Sequence, residues 1–291
     1  MDHRAWPQVT TLDAALAQGF RQVAADSARH LWSCPDAEFL AAARPDPDWP
    51  RQYFGAAYAA LAERFAGDPA ARTRRDIATI RAVIAEHLAP RPRILDIPCG
   101  TGRHANALAA EGFDVIGLDL QPGYLRTARA EGSATYAAAD MRALPVATGS
   151  IDLVLNMWNS LGYFLDAAEE AATLAEFRRV LRPGGKVLVQ QDLDAPAALG
   201  GHWLQHMKAP LGDGAWLLVR QVPDAALGGL ACLSWVMLPG QDPFQGPAFF
   251  LRLRDDAAWA AEAAAAGFAK VSIARTPPGV APHETVVLLG A

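Results

Sequence analysis

The chain contains little cysteine, no long uninterrupted apolar run and no cluster of basic residues. Its three cysteines among 291 residues, Cys34, Cys99 and Cys232, are far apart and lack the spacing of metal ligands. A disulfide framework or a metal site is therefore not expected. No segment has the apolar length of a membrane span, and the opening MDHRAWPQVT has an early acid and no apolar signal core. We expect a cytoplasmic protein that is not bound to membranes.

The charge balance argues against nucleic acid as a partner. Lys and Arg number 26 against 31 Asp and Glu, which gives a formal net charge of -5. Such a chain has no general attraction to phosphate backbones, and no dense basic run supplies a local one. A hydrophobic content of 52% provides a sizeable core and excludes a fully disordered chain. We therefore expect a small-molecule partner, with the protein acting as a monomer or homodimer.

Hydrophobic spacing predicts helices at the N-terminal end and an α/β arrangement after them. Segments such as DAALAQGFRQVAADSARHLW have apolar residues at helical spacing. From Arg93, short apolar runs (RILDI, VIGLD, IDLVLN, KVLVQQD) alternate with amphipathic segments, which is typical of a parallel sheet covered on both faces. Later runs punctuated by Gly and Pro predict an antiparallel insertion. The predicted division is a helical cap over 1–90, an α/β core over 91–200 and 252–291, and the insertion over 201–251.

A glycine loop follows the first predicted sheet strand, and acids end three successive strands. In ILDIPCGTGRHANAL the strand ends at Asp96, and Gly100 and Gly102 precede a helix whose N-terminus offers free N–H groups. Asp119 ends the next strand, where a carboxylate can accept both hydroxyls of an adenosine ribose. Asp140 follows a third strand, where it or its neighbour's backbone can meet an adenine amine. The glycines alone also fit a turn without a ligand, but the three acids favour a nucleoside site.

A dinucleotide site is the main alternative for this loop. Its fingerprint requires G-x-G-x-x-G directly after the strand, whereas positions 98 and 105 are Pro and Ala. Asp96 would also repel a pyrophosphate, but it would favour an ammonium group. A ligand with an adenosine end and an amino-acid end fits better, and S-adenosylmethionine has both.

These motifs resemble those of class I S-adenosylmethionine-dependent methyltransferases, in particular a bacterial small-molecule branch with the loop pattern D-x-x-C-G-T-G-R-H. The resemblance extends over most of the chain through IDLVLNMWNSLGYF, FRRVLRPGGKVLV and FFLRLRDDAAWAAEAAAAGF. It implies a Rossmann-like α/β fold with a seven-stranded, mostly parallel sheet whose last strand is antiparallel. The chain departs from the family at Arg254, where Tyr is common, and in the insertion. Both regions are expected to shape the acceptor pocket.

The resemblance also implies roles for single residues in binding the cofactor. The glycine loop is expected to bind the methionine end through Asp96, Pro98, Gly100, Thr101 and Gly102. The second strand end is expected to bind the ribose through Asp119 and Leu120, and the third strand end the adenine through Asp140 and Met141. By the same analogy Tyr53 or Tyr58 covers the sulfonium, and Arg72 approaches the methionine carboxylate. Ordinary packing between helices is the alternative for the two tyrosines.

Candidate groups on the acceptor side are few. Asn156 and Asn159 flank Trp158 after the fourth strand, and Tyr163 follows. By analogy with the family the two asparagines, Tyr163 and Tyr58 are the expected catalytic residues, which orient the acceptor or the methionine, and Asn156 is also expected to bind the cofactor; turn chemistry is the alternative. Asp192 and Asp194 end the fifth strand, where an acid either binds an acceptor amine or starts a loop.

The segment GHWLQHM places His202 and His206 four residues apart, on one face if the segment is helical. A zinc pair would need further ligands that the sequence does not offer, and a general base for an O-methyltransferase is a second possibility. A surface helix with Trp203 packed inward is the third interpretation, and it is the one favoured here.

Three functions fit the sequence. The leading hypothesis is a small-molecule methyltransferase, with an amine preferred as acceptor because no dedicated base constellation is visible, and with O- or C-methylation as variants. A cyclase or lyase using the same pocket would instead close a ring within the methionine chain and release methylthioadenosine, as in azetidine-2-carboxylate formation. A non-catalytic binding protein is the third hypothesis, and the intact loop and acids argue against it.

Overall fold

The computed structural model describes residues 12–65, 68–199, 204–276 and 284–291. Within these ranges the elements follow in the order α1 (Leu12–Leu16), β1 (Arg21–Gln22), α2 (Ala25–Ser33), α3 (Asp36–Ala42), α4 (Trp49–Tyr53), α5 (Ala56–Phe65), α6 (Pro69–His87), β2 (Arg93–Asp96), α7 (Arg103–Ala110), β3 (Asp114–Asp119), α8 (Pro122–Glu131), β4 (Thr135–Ala138), β5 (Ile151–Asn156), a 3₁₀ turn (Ser160–Gly162), α9 (Ala167–Val180), β6 (Leu181–Gln191), α10 (Ala195–Leu199), β7 (His206–Gly212), β8 (Ala215–Asp224), β9 (Gly229–Met237), β10 (Phe244–Gln245), β11 (Phe249–Arg252), α11 (Asp256–Ala265), β12 (Lys270–Arg275) and β13 (Thr285–Gly290).

The larger of two compact units comprises Asp68–Leu204, Ala225–Gly229 and Phe250–Ala291. It contains a seven-stranded sheet in the order β12-β13-β6-β5-β2-β3-β4. Strands β2 to β6 are parallel, whereas β13 pairs antiparallel with both β6 and β12. The predicted class I fold, with a mostly parallel sheet and an antiparallel last strand, is confirmed.

Alternation along the strands builds a core on each face of this sheet. Leu95 and Val154 face a cluster that includes Leu174 and Phe177 of α9, and Trp259 of α11. Their sequence neighbours point the other way, because side chains alternate along a strand. Ile94, Leu153 and Leu155 therefore belong to the opposite cluster, together with apolar residues of α6, α7 and α8. The covered faces explain why consecutive residues in the middle of these strands are apolar.

The smaller unit contains the described residues before 66 together with Gln205–Asp224 and Leu230–Phe249. Its sheet runs in the order β1-β10-β9-β8-β7, and β7 pairs antiparallel with β8. Phe39 of α3 packs in one core with Leu233 and Trp235 of β9. The predicted antiparallel strands after the fifth strand of the main sheet are confirmed. The division at residues 90, 200 and 251 stays a prediction; by compactness, α6 belongs to the larger unit.

The segment around His206 differs from the helix that the sequence predicts. His202 and Trp203 lie outside the described residues. His206 begins strand β7 and its Nε2 lies 2.8 Å from the Trp32 carbonyl oxygen, so the predicted surface helix is wrong at this residue. Cys34, Cys99 and Cys232 are all buried and free. Within the described ranges, no helix has both the length and the apolarity required to cross a membrane.

Candidate functional site

The glycine loop joins the end of β2 to the start of α7 in the larger unit. Gly102 is the N-cap residue of α7 and adopts a φ of 82°, which glycine tolerates far better than other residues. A Cβ at this position would lie 2.4 Å from the Tyr136 hydroxyl and 2.8 Å from Ala128 Cβ. A Cβ on Gly100, by contrast, would meet no described heavy atom within 4 Å. The loop is therefore tightly packed at Gly102 and open at Gly100, where a ligand can approach the backbone.

Asp96 lies at the base of this loop and is fully buried. Neither carboxylate oxygen has a hydrogen-bond partner of ordinary geometry in the described part of the chain, although the Ala105 amide is near enough to favour ionisation. Burial raises the pKa of the Asp96 carboxyl to about 7; the charge of Arg103 opposes this shift and that of Asp119 adds to it. A buried acid without donors is costly for a protein unless a ligand supplies them. The chemistry of this acid matches a cationic group with several N–H donors.

Asp119, at the end of β3, fastens the loop from the neighbouring strand. Its two oxygens accept hydrogen bonds from the backbone amides of Gly100 and Gln121, each at 2.8 Å. Burial raises the pKa of the Asp119 carboxyl, while these amides act in the opposite direction. Each carboxylate oxygen has a further lone pair, so hydroxyl donors of a ligand could be accepted without loss of the backbone contacts.

The third acid has a partner of its own. The carboxylate of Asp140 accepts hydrogen bonds from Arg142, from the backbone N at 2.9 Å and from Nη2 at 2.6 Å. Met141 packs against the core cluster beside Leu95 and Val154. An adenine amine bound by the Asp140 side chain would compete with Arg142, so the backbone after Asp140 is the better candidate of the two options drawn from the sequence.

Asn156 ends β5, and Asn159 and Tyr163, which were also predicted for the acceptor side, lie in the turn after it. Asn156 is buried; its amide donates to the Ile97 carbonyl at 2.8 Å, and its Oδ1 is buried without a described donor. Asn159 and Asp192 are joined twice, since the Asn159 amide donates to the Asp192 carboxylate and the Asp192 backbone N donates to Asn159 Oδ1 at 3.1 Å. The Tyr163 hydroxyl donates to the Trp158 carbonyl at 3.0 Å. These contacts shape the turn, and the proposed acceptor roles stay predictions.

The same turn stores backbone strain. Trp158 and Asn159 both adopt a φ of 63°, which is rare for residues with a side chain and occurs here in succession. Such conformations typically cost about 1–3 kcal/mol each and persist where the surroundings impose them. The backbone N–H of Trp158 donates to Gln190 Oε1 at 2.9 Å, and the backbone N–H of Asn159 donates to the backbone carbonyl of Gln190 at 3.1 Å. Strand β6 thereby holds the turn in this conformation.

A charged cluster around Asp76, Arg103 and His104, none of which was a sequence-based candidate, links three parts of the larger unit. Asp76 of α6 is fully buried, and its Oδ2 accepts from Arg103 Nη2 at 2.6 Å and from Trp158 Nε1 at 3.0 Å, with His104 Nε2 at 3.1 Å. The Arg72 guanidinium lies 4.4 Å from the centroid of the Trp158 ring. Asp76 shares the buried face of α6 with Ile80 and Ile84. A charged residue at the helical spacing of an apolar face is the sequence signal by which a buried charge could have been predicted here.

Burial and hydrogen bonding have opposite effects on the protonation states of Asp76 and His104 in this cluster. Burial disfavours ionisation of Asp76, but the hydrogen bonds from His104 and Trp158 and the adjacent Arg103 hold its pKa well below the usual range. Burial lowers the pKa of His104 to about 4, although its contact with Asp76 acts in the opposite direction. The cluster at neutral pH therefore contains an anionic Asp76, a neutral His104 and a cationic Arg103.

Other predicted residues have definite positions. Thr101 is exposed, and Pro98 and Leu120 are half-buried in the larger unit. Asp194 is fully buried, and its carboxylate accepts from Arg275 Nε at 2.6 Å and from the Thr285 hydroxyl at 2.9 Å. These contacts favour a role in the loop after the strand over binding of an acceptor amine.

Two tyrosines predicted for the cofactor lie in the smaller unit. Tyr53 and Tyr58 are in an aromatic cluster with centroids 5.2 Å apart, and Phe249 lies 4.7 Å from Tyr53. This cluster matches the packing alternative drawn from the sequence, and the lid role of the tyrosines stays a prediction.

Comparison with known proteins identifies similarity in the same region. Residues 94–185 match the family described as methyltransferase domain. Over 128 residues the chain is 34% identical to a demethylmenaquinone methyltransferase of Beutenbergia cavernae, which covers 42% of this chain and 51% of the relative. It is 36% identical over 98 residues to a dTDP-3-amino-3,4,6-trideoxy-alpha-D-glucopyranose N,N-dimethyltransferase of Streptomyces venezuelae, which covers 33% of this chain and 41% of the relative. The chain thus spans about half the length of these relatives, or less.

Solved structures extend the similarity of fold over more of the chain. The CcbJ methyltransferase from Streptomyces caelestis superposes with a TM-score of 0.62 over 92% of this chain and 95% of its own. Sequence identity in that superposition is 20%, so it establishes a shared fold.

Proposed function

We propose that the chain, whose residues 94–185 match the methyltransferase domain family, is a class I S-adenosylmethionine-dependent methyltransferase that methylates an amine of a small molecule in secondary metabolism. The observation that carries this proposal is the buried carboxylate of Asp96, whose two oxygens have no hydrogen-bond partner of ordinary geometry among the described residues. The protonated amino group of S-adenosylmethionine would supply this carboxylate with a positive charge and N–H donors.

The residues present fit this cofactor. Asp96 would hold the ammonium group, the open side of Gly100 would admit the methionine backbone, and Asp119 would accept the ribose hydroxyls with its remaining lone pairs. The backbone after Asp140 and the Met141 side chain would border the adenine. When bound, the cofactor supplies a methyl group on a positively charged sulfur; a neutral nucleophile would attack the methyl carbon in line with the C–S bond, and the sulfur would leave as S-adenosylhomocysteine.

The contribution of the protein is chiefly binding and orientation. Asp76, Arg103 and Trp158 connect α6, α7 and the turn after β5, and Asn156 connects that turn to the loop at Ile97. These contacts hold the loop and the turn in one arrangement, which reduces the motion that must be lost when the reacting atoms align.

The preference for an amine rests on two arguments. A neutral amine needs no strong base in order to attack, whereas a hydroxyl normally does. His104 in the larger unit is buried against Asp76 and is not a free base for a substrate. The aminosugar N,N-dimethyltransferase among the relatives is consistent with an amine acceptor, but its sequence match covers only a third of this chain.

Product analysis tests the proposal. The protein would be incubated with S-adenosylmethionine, first alone and then with a panel of small amines that includes aminosugar nucleotides, and the nucleoside products identified by mass spectrometry. S-adenosylhomocysteine that forms only with an amine supports the proposal. Methylthioadenosine without an acceptor would replace it with ring closure, for which the relatives described above provide no support, and failure to bind the cofactor would leave the non-catalytic alternative.

A further inference from the structure

A cleft of about 470 Å³ lies entirely within the smaller unit. Its lining combines the turn after α1, the segment after α3 and the segment around β10; we call it the arginine cleft after two of its members, and the side chains used below are Gln18, Arg21, Arg44, Asp46, Gln52 and Gln245. This volume is within the range of small-molecule sites in proteins.

Arg21 and Arg44 differ from the other arginines described in this unit. Four of those pair with a carboxylate: Arg29 with Asp26, Arg51 with Asp48, Arg64 with Asp213 and Arg220 with Asp36. Arg21 and Arg44 have no acidic partner among the described residues, and both line the cleft. Two exposed arginines without an ion-pair partner among the described residues thus line one concave surface.

The other polar groups of the cleft supply hydrogen-bond donors and a single negative charge. Gln245 accepts from Trp235 Nε1 at 3.1 Å with its Oε1, which leaves its NH₂ group as a donor. Gln18 and Gln52 bring two more uncharged amides. Asp46 is the one acid of the lining, and its Oδ1 accepts from the backbone N of Asp48 at 2.8 Å. The cleft therefore has an excess of positive charge.

The wall of the cleft is closely packed. Arg21 is paired with Gln245 across the β1–β10 ladder, which fixes both backbones. A Cβ at Gly246 would lie 2.7 Å from the ring of the buried Phe20 and 2.8 Å from the Ser234 hydroxyl. The backbone of this wall therefore has little room to rearrange, which lowers the cost of ordering it when a ligand binds.

We propose that the arginine cleft binds the anionic group of a small molecule, a carboxylate or a phosphate. Arginine recognises both groups through paired N–H donors, and the cleft contains two arginines with this capacity unused. The site is separate in sequence and in compact unit from the Asp96 loop, so it does not depend on the proposed methyl transfer.

Calorimetric titration of the full chain with pyrophosphate, inorganic phosphate and succinate tests the proposal. We expect saturable binding of at least one anion, and replacement of one arginine by Arg21→Gln or Arg44→Gln should weaken it about tenfold or more. Arg29→Gln is the matched control, since it removes an exposed arginine of the same unit from outside the cleft, and it should leave binding unchanged. Asp46→Asn removes the opposing charge, retains the oxygen that accepts from Asp48, and should tighten binding.

The outcomes are distinct. Tighter binding of pyrophosphate than of succinate assigns the cleft to phosphates, and the reverse assigns it to carboxylates. Absence of saturable binding by all three anions, or an equal loss in Arg29→Gln, overturns the proposal; circular dichroism of each variant excludes unfolding as the cause. S-adenosylmethionine binding measured on the same variants separates this result from the proposed function, because either site can bind while the other fails.

Discussion

At the level of single residues, the two oxygens of Asp96 point to a ligand because neither has a hydrogen-bond partner of ordinary geometry in the described part of the protein. Asp96→Asn keeps the shape of the side chain and removes the charge. Since a hydrogen bond to a charged group is worth about 1.5–3 kcal/mol, we expect the Kd for S-adenosylmethionine to rise about 10- to 100-fold. Asp114→Asn, which changes a surface acid paired with Arg93 at 3.0 Å, should alter the Kd little. Equal effects in equilibrium binding measurements would contradict the assignment.

The raised pKa of Asp96 predicts how cofactor affinity depends on pH. Burial brings this pKa to about 7 in the free protein, so the carboxyl is mainly protonated below that pH and must lose its proton to bind an ammonium group. The Kd should therefore fall about tenfold per pH unit as the pH rises from 5 to 7, and then level off. Titrations at several pH values check this, with Asp96→Asn expected to show a nearly flat profile. A wild-type Kd independent of pH would contradict it.

At the level of elements, Asp76 joins α6, α7 and the turn after β5 through one carboxylate oxygen. Asp76→Asn removes the charge that the half-buried Arg103 pairs with, and a hydrogen bond to a charged group is typically worth about 1.5–3 kcal/mol. We expect a correspondingly lower free energy of unfolding in urea. Glu86→Gln, on the same helix but paired only at the surface with His87 at 3.6 Å, is the control and should change it little. If the two substitutions have similar effects, the cluster does not stabilise the fold.

The elements and their order were accessible from the sequence because each signal is local. Ile94 and Leu95, or Leu153 and Val154, are consecutive apolar residues, and only a strand covered on both faces buries both neighbours. Asp96 and Gly102 are marked by their place between a strand and a helix. The Asp76–Trp158 contact joins residues 82 positions apart, so no local pattern contains it. The strand at His206 was missed for a related reason: its pairing with β8 is decided by residues after it, not by the spacing of two histidines.

At the level of the whole molecule, the helices before residue 66 cover one side of strands that come much later in the chain. Phe39 and Ala43 pack on Val222, Leu233 and Trp235, so removal of residues 1–67 would uncover an apolar surface. We expect the shortened chain to bind a hydrophobic dye strongly and to aggregate. Dye fluorescence and light scattering, compared with the full chain at equal concentration, check this. A shortened chain that stays dispersed and dye-free would contradict the shared core.

This arrangement also constrains the order of events during synthesis on a ribosome. Strands that complete the smaller unit extend to Phe249, so its first helices leave the ribosome long before their partners exist. The larger unit waits longer still, because β13 lies between β6 and β12 in its sheet and is made last. The segments of the two units alternate along the chain, so a nascent chain stalled before about residue 250 exposes the unfinished cores of both. Such intermediates are the natural clients of chaperones, and the dependence on them should be greatest when translation pauses inside the β7–β10 segment.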